Sequence, residues 1–462
     1  MNKSVGLVIV FLVVCLMITV PVSAFTESAE NSWVSKASMR QARSSLGAAV
    51  VNGKIYAVGG KTDKGVVGIN EEYNPESDTW TYKQSMPTPR DSFAIASYEN
   101  KIYCIGGYTS NGSITAVNEV YDPATNKWET KTPMPTARAH LQANVVNGII
   151  YLIGGYARDN STFRYSISKL NEVYDPATDT WMQKTPPTYG SYGYASAALD
   201  GKIYVLSGSW DMVTKMTQIY DIQSDTWTLG SSAPTYFMSG SVIATTGVMA
   251  PKRIYVFNKP APDLAVNPNA PLFSTQVYDP KTDSWVAGAD LPTELEGFAV
   301  AIENDKIYVI GGYSAVYRNL PYDLYAPEIT RYRIVEQYTP FCYGTVPPAV
   351  SIVSPQSMAS YASSDVPLNF SLSKPATWVG YSLDGKDNIT ITGNTTITGL
   401  SIGLHNITVY AKDANENIGA SETITFTVAP PSFLTAFTAI AIAASVTVAC
   451  VVLLLYFRKH KG

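Results

Sequence analysis

Three histidines and four cysteines are the residues of this 462-residue chain best suited to metal ligation or nucleophilic chemistry, and their placement argues against both. The histidines stand at 140, 405 and 460, so a metal centre drawing two imidazoles from the first 340 residues has only His140 to use. Cys15 and Cys450 lie inside strongly apolar runs, and Cys104 and Cys342 read as unpaired thiols rather than a bridge. No phosphate-cradling glycine loop, nucleophile elbow or cluster of metal ligands occurs in the sequence. No catalytic residue, metal or cofactor is therefore assigned. The chemistry the sequence does repeat is that of the glycosylation acceptor, N-x-[ST], at Asn111, Asn160, Asn369, Asn388, Asn394 and Asn406.

What positions side chains in this chain is an internal repeat. NEVYDPATNKW (118–128) returns as NEVYDPATDTW (171–181), with looser copies EEYNPESDTW (71–80), TQIYDIQSDTW (217–227) and TQVYDPKTDSW (275–285). A short apolar strand recurs as NGKIYAVGG (52–60), NKIYCIGG (100–107), NGIIYLIGG (147–155), DGKIYVLSG (200–208), KRIYVFNK (252–259) and NDKIYVIGG (304–312). Before the strands come MPTPR (86–90), MPTAR (134–138), APTYF (233–237) and LPTEL (291–295). Tryptophans at 33, 80, 128, 181, 227 and 285 mark a period of about fifty residues. The β-branched strand predicts burial on both faces, its glycines allow a turn where a side chain would collide, and DPxTD predicts a tight turn. The tryptophan then opens a fourth strand and is expected to pack into the following unit.

Strand, glycine pair, Tyr-Asp-Pro turn and tryptophan recur in fixed order over 32–343, and this region resembles a kelch β-propeller, in which each repeat is a four-stranded blade. Trp33 has no strands of its own unit before it, and the last unit stops after its third strand, RYRIVEQYTP (331–340). An N-terminal strand completing that last unit gives six blades. Alternating strand direction puts all the long loops (61–70, 156–169, 258–273 and 313–329) and the inter-blade links on one face. Binding residues concentrate on such loops over a rigid scaffold. The resemblance implies that the link arginines Arg43, Arg90 and Arg138 line a ligand mouth, with Tyr189, Tyr236 and Glu294 at the corresponding places in the other units. Tyr108, Tyr156, Trp210 and Tyr313, each beside the end of a second strand, are candidates for stacking on sugar rings or peptide side chains. An alternative within the resemblance is a carbohydrate-active enzyme of sialic-acid mutarotase type, using Glu294 or Glu296 near Arg43.

The two ends imply export and anchoring. Met1–Ala24 carries Lys3, the run VGLVIVFLVVCLMITV and PVSA, which predicts a cleaved secretory signal. Residues 433–457 form a 25-residue stretch without a charge, long enough to cross a bilayer, and 458–462 supply Arg458, Lys459 and Lys461 as a cytoplasmic basic tail. Between the repeats and this span, 344–431 alternates polar and apolar residues after a proline-containing linker, which predicts an immunoglobulin-like β-sandwich stalk. The whole is expected to be an all-β, single-pass cell-surface protein whose partners are extracellular proteins or glycans. A net charge of −4 with only 15% charged residues provides no footprint for nucleic acid.

Overall fold

The computed structural model describes residues 29–158, 165–190, 193–206, 215–235, 241–258, 274–316 and 327–430. The expected signal, membrane span and basic tail lie outside these residues, as do Asn160, Trp210 and Tyr236. Among the described residues no helix is long and apolar enough to cross a membrane.

Among the described residues, six four-stranded antiparallel sheets succeed one another along the chain. The first comprises Gly47–Val51, Lys54–Val58, Asn70–Asn74 and Thr79–Lys83, and the next four repeat that order. The sixth takes Ala299–Glu303, Lys306–Ile310 and Val335–Thr339 from the end of the repeat region and Ser32–Lys36 from its beginning, with Trp33 opposite Tyr338 and Ser35 opposite Glu336. The first strand of each sheet touches the first strand of the next, and that of the sixth touches that of the first, so the innermost strands form a ring.

The second strands follow the sequence pattern closely: Ile55, Tyr56, Ala57 and Val58 are all buried, and so are Ile307, Tyr308, Val309 and Ile310. In the first five sheets the penultimate residue of the third strand is a tyrosine tied to the turn that follows, as in Tyr73 to Asp78 and Tyr174 to Asp179, both 2.6 Å, and in the sixth Tyr338 bonds Asn31 beside the N-terminal strand instead. The tied residue adopts a left-handed backbone (φ 52° and 54°), where Asp and Asn are among the tolerated residues. Its carboxylate also accepts a backbone N–H from the preceding unit: Ala37 for Asp78 and Thr132 for Asp179. The tryptophans point the same way. The indole N–H of Trp128 donates to the Gln84 carbonyl at 2.8 Å and that of Trp181 to Thr132 at 3.0 Å, so they fasten each sheet to its predecessor rather than to its successor.

Residues 350–428 form a second body. A three-stranded sheet (Val350–Ser354, Val366–Leu372, Thr395–Ile397) faces a larger sheet built on Gly403–Lys412 across a shared core that includes Leu368, Ile397, Val409 and Phe426. The linker between the two bodies is fixed at both ends. The Gly344 N–H donates to the Met249 carbonyl at 2.7 Å, and the Gly344 carbonyl accepts from the side-chain amides of Asn415 and Asn417. Met249 lies in the connection between the first two strands of the fifth sheet, so the linker leaves from the face opposite the long loops.

Candidate functional site

The ring of innermost strands encloses a cavity of about 460 Å³ lined by residues of all six sheets. Its mouth is built by the residues that open each innermost strand. Ser45, Ser92, His140, Gly193 and Gly297 all adopt φ between 52° and 60°. Their backbones are chained: Ser45 N–H donates to Gly297 C=O, Ser92 to Ser45, His140 to Ser92 and Gly193 to His140, at 2.6–3.3 Å. The mouth is therefore rigid in its backbone, and recognition falls to the side chains around it.

Outside this ring lies a second, also periodic. The residue following a glycine pair bridges to the residue immediately before its own unit's step of the ring. Lys61 pairs with Ser44, Tyr108 with Asp91, Tyr156 with Ala139 and Tyr313 with Glu296. The Tyr108 ring meets His140 edge-on, 5.5 Å between centroids. The Tyr313 hydroxyl donates to Glu296 at 3.2 Å, and its ring lines the cavity. Arg331 reaches in beside Ser44 and pairs with Asp63 at 2.7 Å. Burial lowers the His140 pKa, with Asp91 pulling the other way, while burial raises Asp91 against its hydrogen bond to Ser92 and the nearby charges of Lys61, His140 and Arg331. The rim thus combines half-buried tyrosines, an imidazole and charges of both signs.

Arg43, Arg90 and Arg138 do not line this mouth, contrary to the expectation carried by the resemblance. All three are 0% exposed. Arg90 shows the arrangement: Nη1 donates to the Gly106 and Val117 carbonyls at 2.9 and 2.8 Å, and Nη2 to Cys104 C=O at 3.2 Å and Glu119 at 2.8 Å. Arg43 pairs with Glu71 at 3.0 Å and Arg138 with Glu172 at 2.8 Å. Their own carbonyls accept from the second glycine of the preceding sheet: Gly312 to Arg43, Gly60 to Arg90 and Gly107 to Arg138. Each arginine therefore clamps two sheets. The sulfur of the methionine four before each arginine lies 3.3–3.6 Å from the guanidinium, and in the two MPTxR motifs the hydroxyls of Thr88 and Thr136 bond the paired glutamates at 2.8 and 2.9 Å. Burial pulls the guanidinium pKa down while the glutamates oppose it, and the neighbouring Cys104 thiol is pushed up to about 12, a nonreactive form.

The other expected residues divide. Tyr108, Tyr156 and Tyr313 are half-buried on the rim. Tyr189 is 45% exposed, its backbone held by the Gln218 amide at 3.0 and 3.2 Å. Glu294 is exposed, Glu296 bonds the Tyr313 hydroxyl, neither lines the cavity, and Arg43 is committed to Glu71, so neither acid of the enzyme alternative is brought to that arginine. Asn111, Asn388, Asn394 and Asn406 are exposed, and Asn369 is half-buried. Lys61, Asp91 and Arg331 were missed by sequence reasoning, and His140 was considered only for metal or catalytic chemistry. The signal for Lys61 was present, since it occupies after Gly60 the place that Tyr108, Tyr156 and Tyr313 hold after their glycine pairs.

Comparison with known proteins agrees with this architecture. Residues 45–258 match the model of the KLHDC2/KLHL20/DRC7 Kelch-repeats domain. Kelch-like protein 35 of Mus musculus is 29% identical over 143 residues, covering 30% of this chain and 22% of that protein. Kelch-like protein 15 of Danio rerio is 31% identical over 158 residues (30% and 25%), and Halomucin of Haloquadratum walsbyi 40% over 102 residues (21% and 1%). The chain thus spans a quarter or less of the length of these three relatives. Fold and repeat together support a kelch-repeat protein, all-β, with an arrangement of sheets that fits a β-propeller.

Proposed function

We propose that this is a cell-surface recognition protein in which a six-bladed kelch propeller, closed by Ser32–Lys36, binds a protein partner at the mouth of its central cavity. In this reading an immunoglobulin-like stalk and a single span at 433–457 hold the propeller to the membrane. The observation that carries the reading is the rim, where tyrosines and mixed charges surround a mouth whose backbone is already fixed. Tyrosine, arginine and histidine on a preorganised frame give contact area and directional bonds at low ordering cost. The linker departing from the opposite face supports a mouth turned away from the membrane.

The test is position-specific photo-crosslinking on full-length protein in intact producing cells. A photoreactive residue at 108 or 313 is expected to give a discrete protein adduct, and one at exposed Thr125 in an opposite-face turn is expected to give none. Adduct from 125 alone refutes the proposed face, and glycan rather than protein adducts at 108 replace the partner class.

A further inference from the structure

We infer that the end of the 350–428 body remote from the linker is a foot that contacts the lipid bilayer, with Ile402 and Leu404 as the side chains that enter it. This rests on the reading of 433–457 as a membrane span. Ile402 and Leu404 are 67% and 65% exposed and stand two residues apart beside the end of the last strand, whereas the other large apolar side chains this body exposes, Val353, Met358, Ile389 and Ile418, lie on separate strands and turns. They belong to one surface. Gly403, between them, pairs with Val428 at the end of the last strand. The loop before them is joined to the segment 361–365 by Leu400 N–H to Ser364 C=O at 2.9 Å and Gly399 N–H to Asp365 at 3.0 Å, and Ala429 N–H returns to Tyr361 C=O at 2.8 Å.

Across 361–365, 398–404 and 428–430 the only charged residue is Asp365, which already accepts that Gly399 N–H, and the charged turn of Asp384, Lys386 and Asp387 borders this surface where Asp384 bonds His405 and Asn406. The linker end holds Lys374, Lys412, Asp413 and Glu416. Chain length then fixes distance. From Pro430 to Phe433, where the uncharged run begins, three residues reach at most about 10 Å. A body tethered that closely cannot hold its end far from the bilayer surface. Asn406, the next outward-facing residue on the Leu404 strand, lies roughly 7 Å further along and begins the polar surface. The occupant is therefore the headgroup–acyl boundary that the chain itself enters, where exposed aliphatic side chains gain by leaving water.

The experiment uses the full chain in phosphatidylcholine vesicles, with an environment-sensitive fluorescent residue placed at 402, at 404 or, as control, at exposed 416. Flotation with the vesicles is measured on the same samples. The inference expects blue-shifted emission at 402 and 404, quenched several-fold more by shallowly spin-labelled lipid than emission at 416. Floating protein whose 402 and 404 probes behave like the 416 probe overturns the foot and leaves the span intact. Protein that does not float overturns both.

Discussion

A buried guanidinium is costly unless its charge and donors are met; at Arg90 the carbonyls of Thr88, Cys104, Gly106 and Val117 and the Glu119 carboxylate meet them, while at Arg43 and Arg138 the glutamate and carbonyls meet the Nη donors and leave Nε without a partner among the described residues. The pairing follows the repeat: units with arginine carry Glu71, Glu119 or Glu172, and the fourth and fifth sheets, which lack a described arginine there, carry Gln218 and Gln276 instead. The sixth sheet breaks the rule. Arg43, Arg90 and Arg138 stand two before Ser45, Ser92 and His140, and the residue two before Gly297 is buried Leu295, yet Glu336 remains. Burial raises its pKa, against the hydrogen bonds at 2.9 and 3.0 Å from the Ser35 hydroxyl of the N-terminal strand. A carboxyl with a raised folded-state pKa favours the fold below its ordinary unfolded value and loses that contribution as pH rises through the folded value. Glu336→Gln should therefore raise the unfolding temperature at pH 7, with the gain shrinking towards pH 4. Equal or lower stability of the variant at pH 7 would show that the site tolerates the charge.

At the scale of elements, the strands and turns were legible because their pattern is local. K-I-Y-x-V with Gly-Gly can hardly be other than a buried strand ending where backbones meet, and NG-type and Asp-type turns announce left-handed residues. The roles of the arginines were not legible, because a basic residue beside a loop reads as solvent-facing, whereas its partners lie in strands 14 to 34 residues away. The co-occurrence of Met-x-x-x-Arg with Asn-Glu in the third strand was the available signal. The glycines divide by the same logic. Gly106 has φ +72° and a Cβ there would lie 2.5 Å from the Arg138 carbonyl, while Gly201 has φ +73° and open space around it. Gly201→Ala should cost only the backbone term, about 1 kcal/mol. Gly106→Ala should cost that and the displacement of the Arg138 clamp, about 3 kcal/mol or more, read as the difference in denaturant midpoint. Equal costs would mean that the clamp does not bear on stability.

At the scale of the molecule, one face is held by short turns and by the linker, and the other carries the mouth, the rim and the long loops. This polarity follows from strand alternation alone and was available from sequence. The chained mouth and the charged part of its rim were not, because they depend on which residues six separate units bring to one axis. On the proposed function, buried arginines hold the ring and the rim recognises the partner. Thermal unfolding of Arg90→Ala, paired with adduct yield from position 108, tests it most directly. Removing one partner of a buried pair leaves Glu119 uncompensated, a loss of about 3–5 kcal/mol. The account predicts unfolding several degrees lower with an unchanged adduct yield per folded molecule. An unchanged unfolding temperature with the adduct lost would make Arg90 a ligand contact and contradict it.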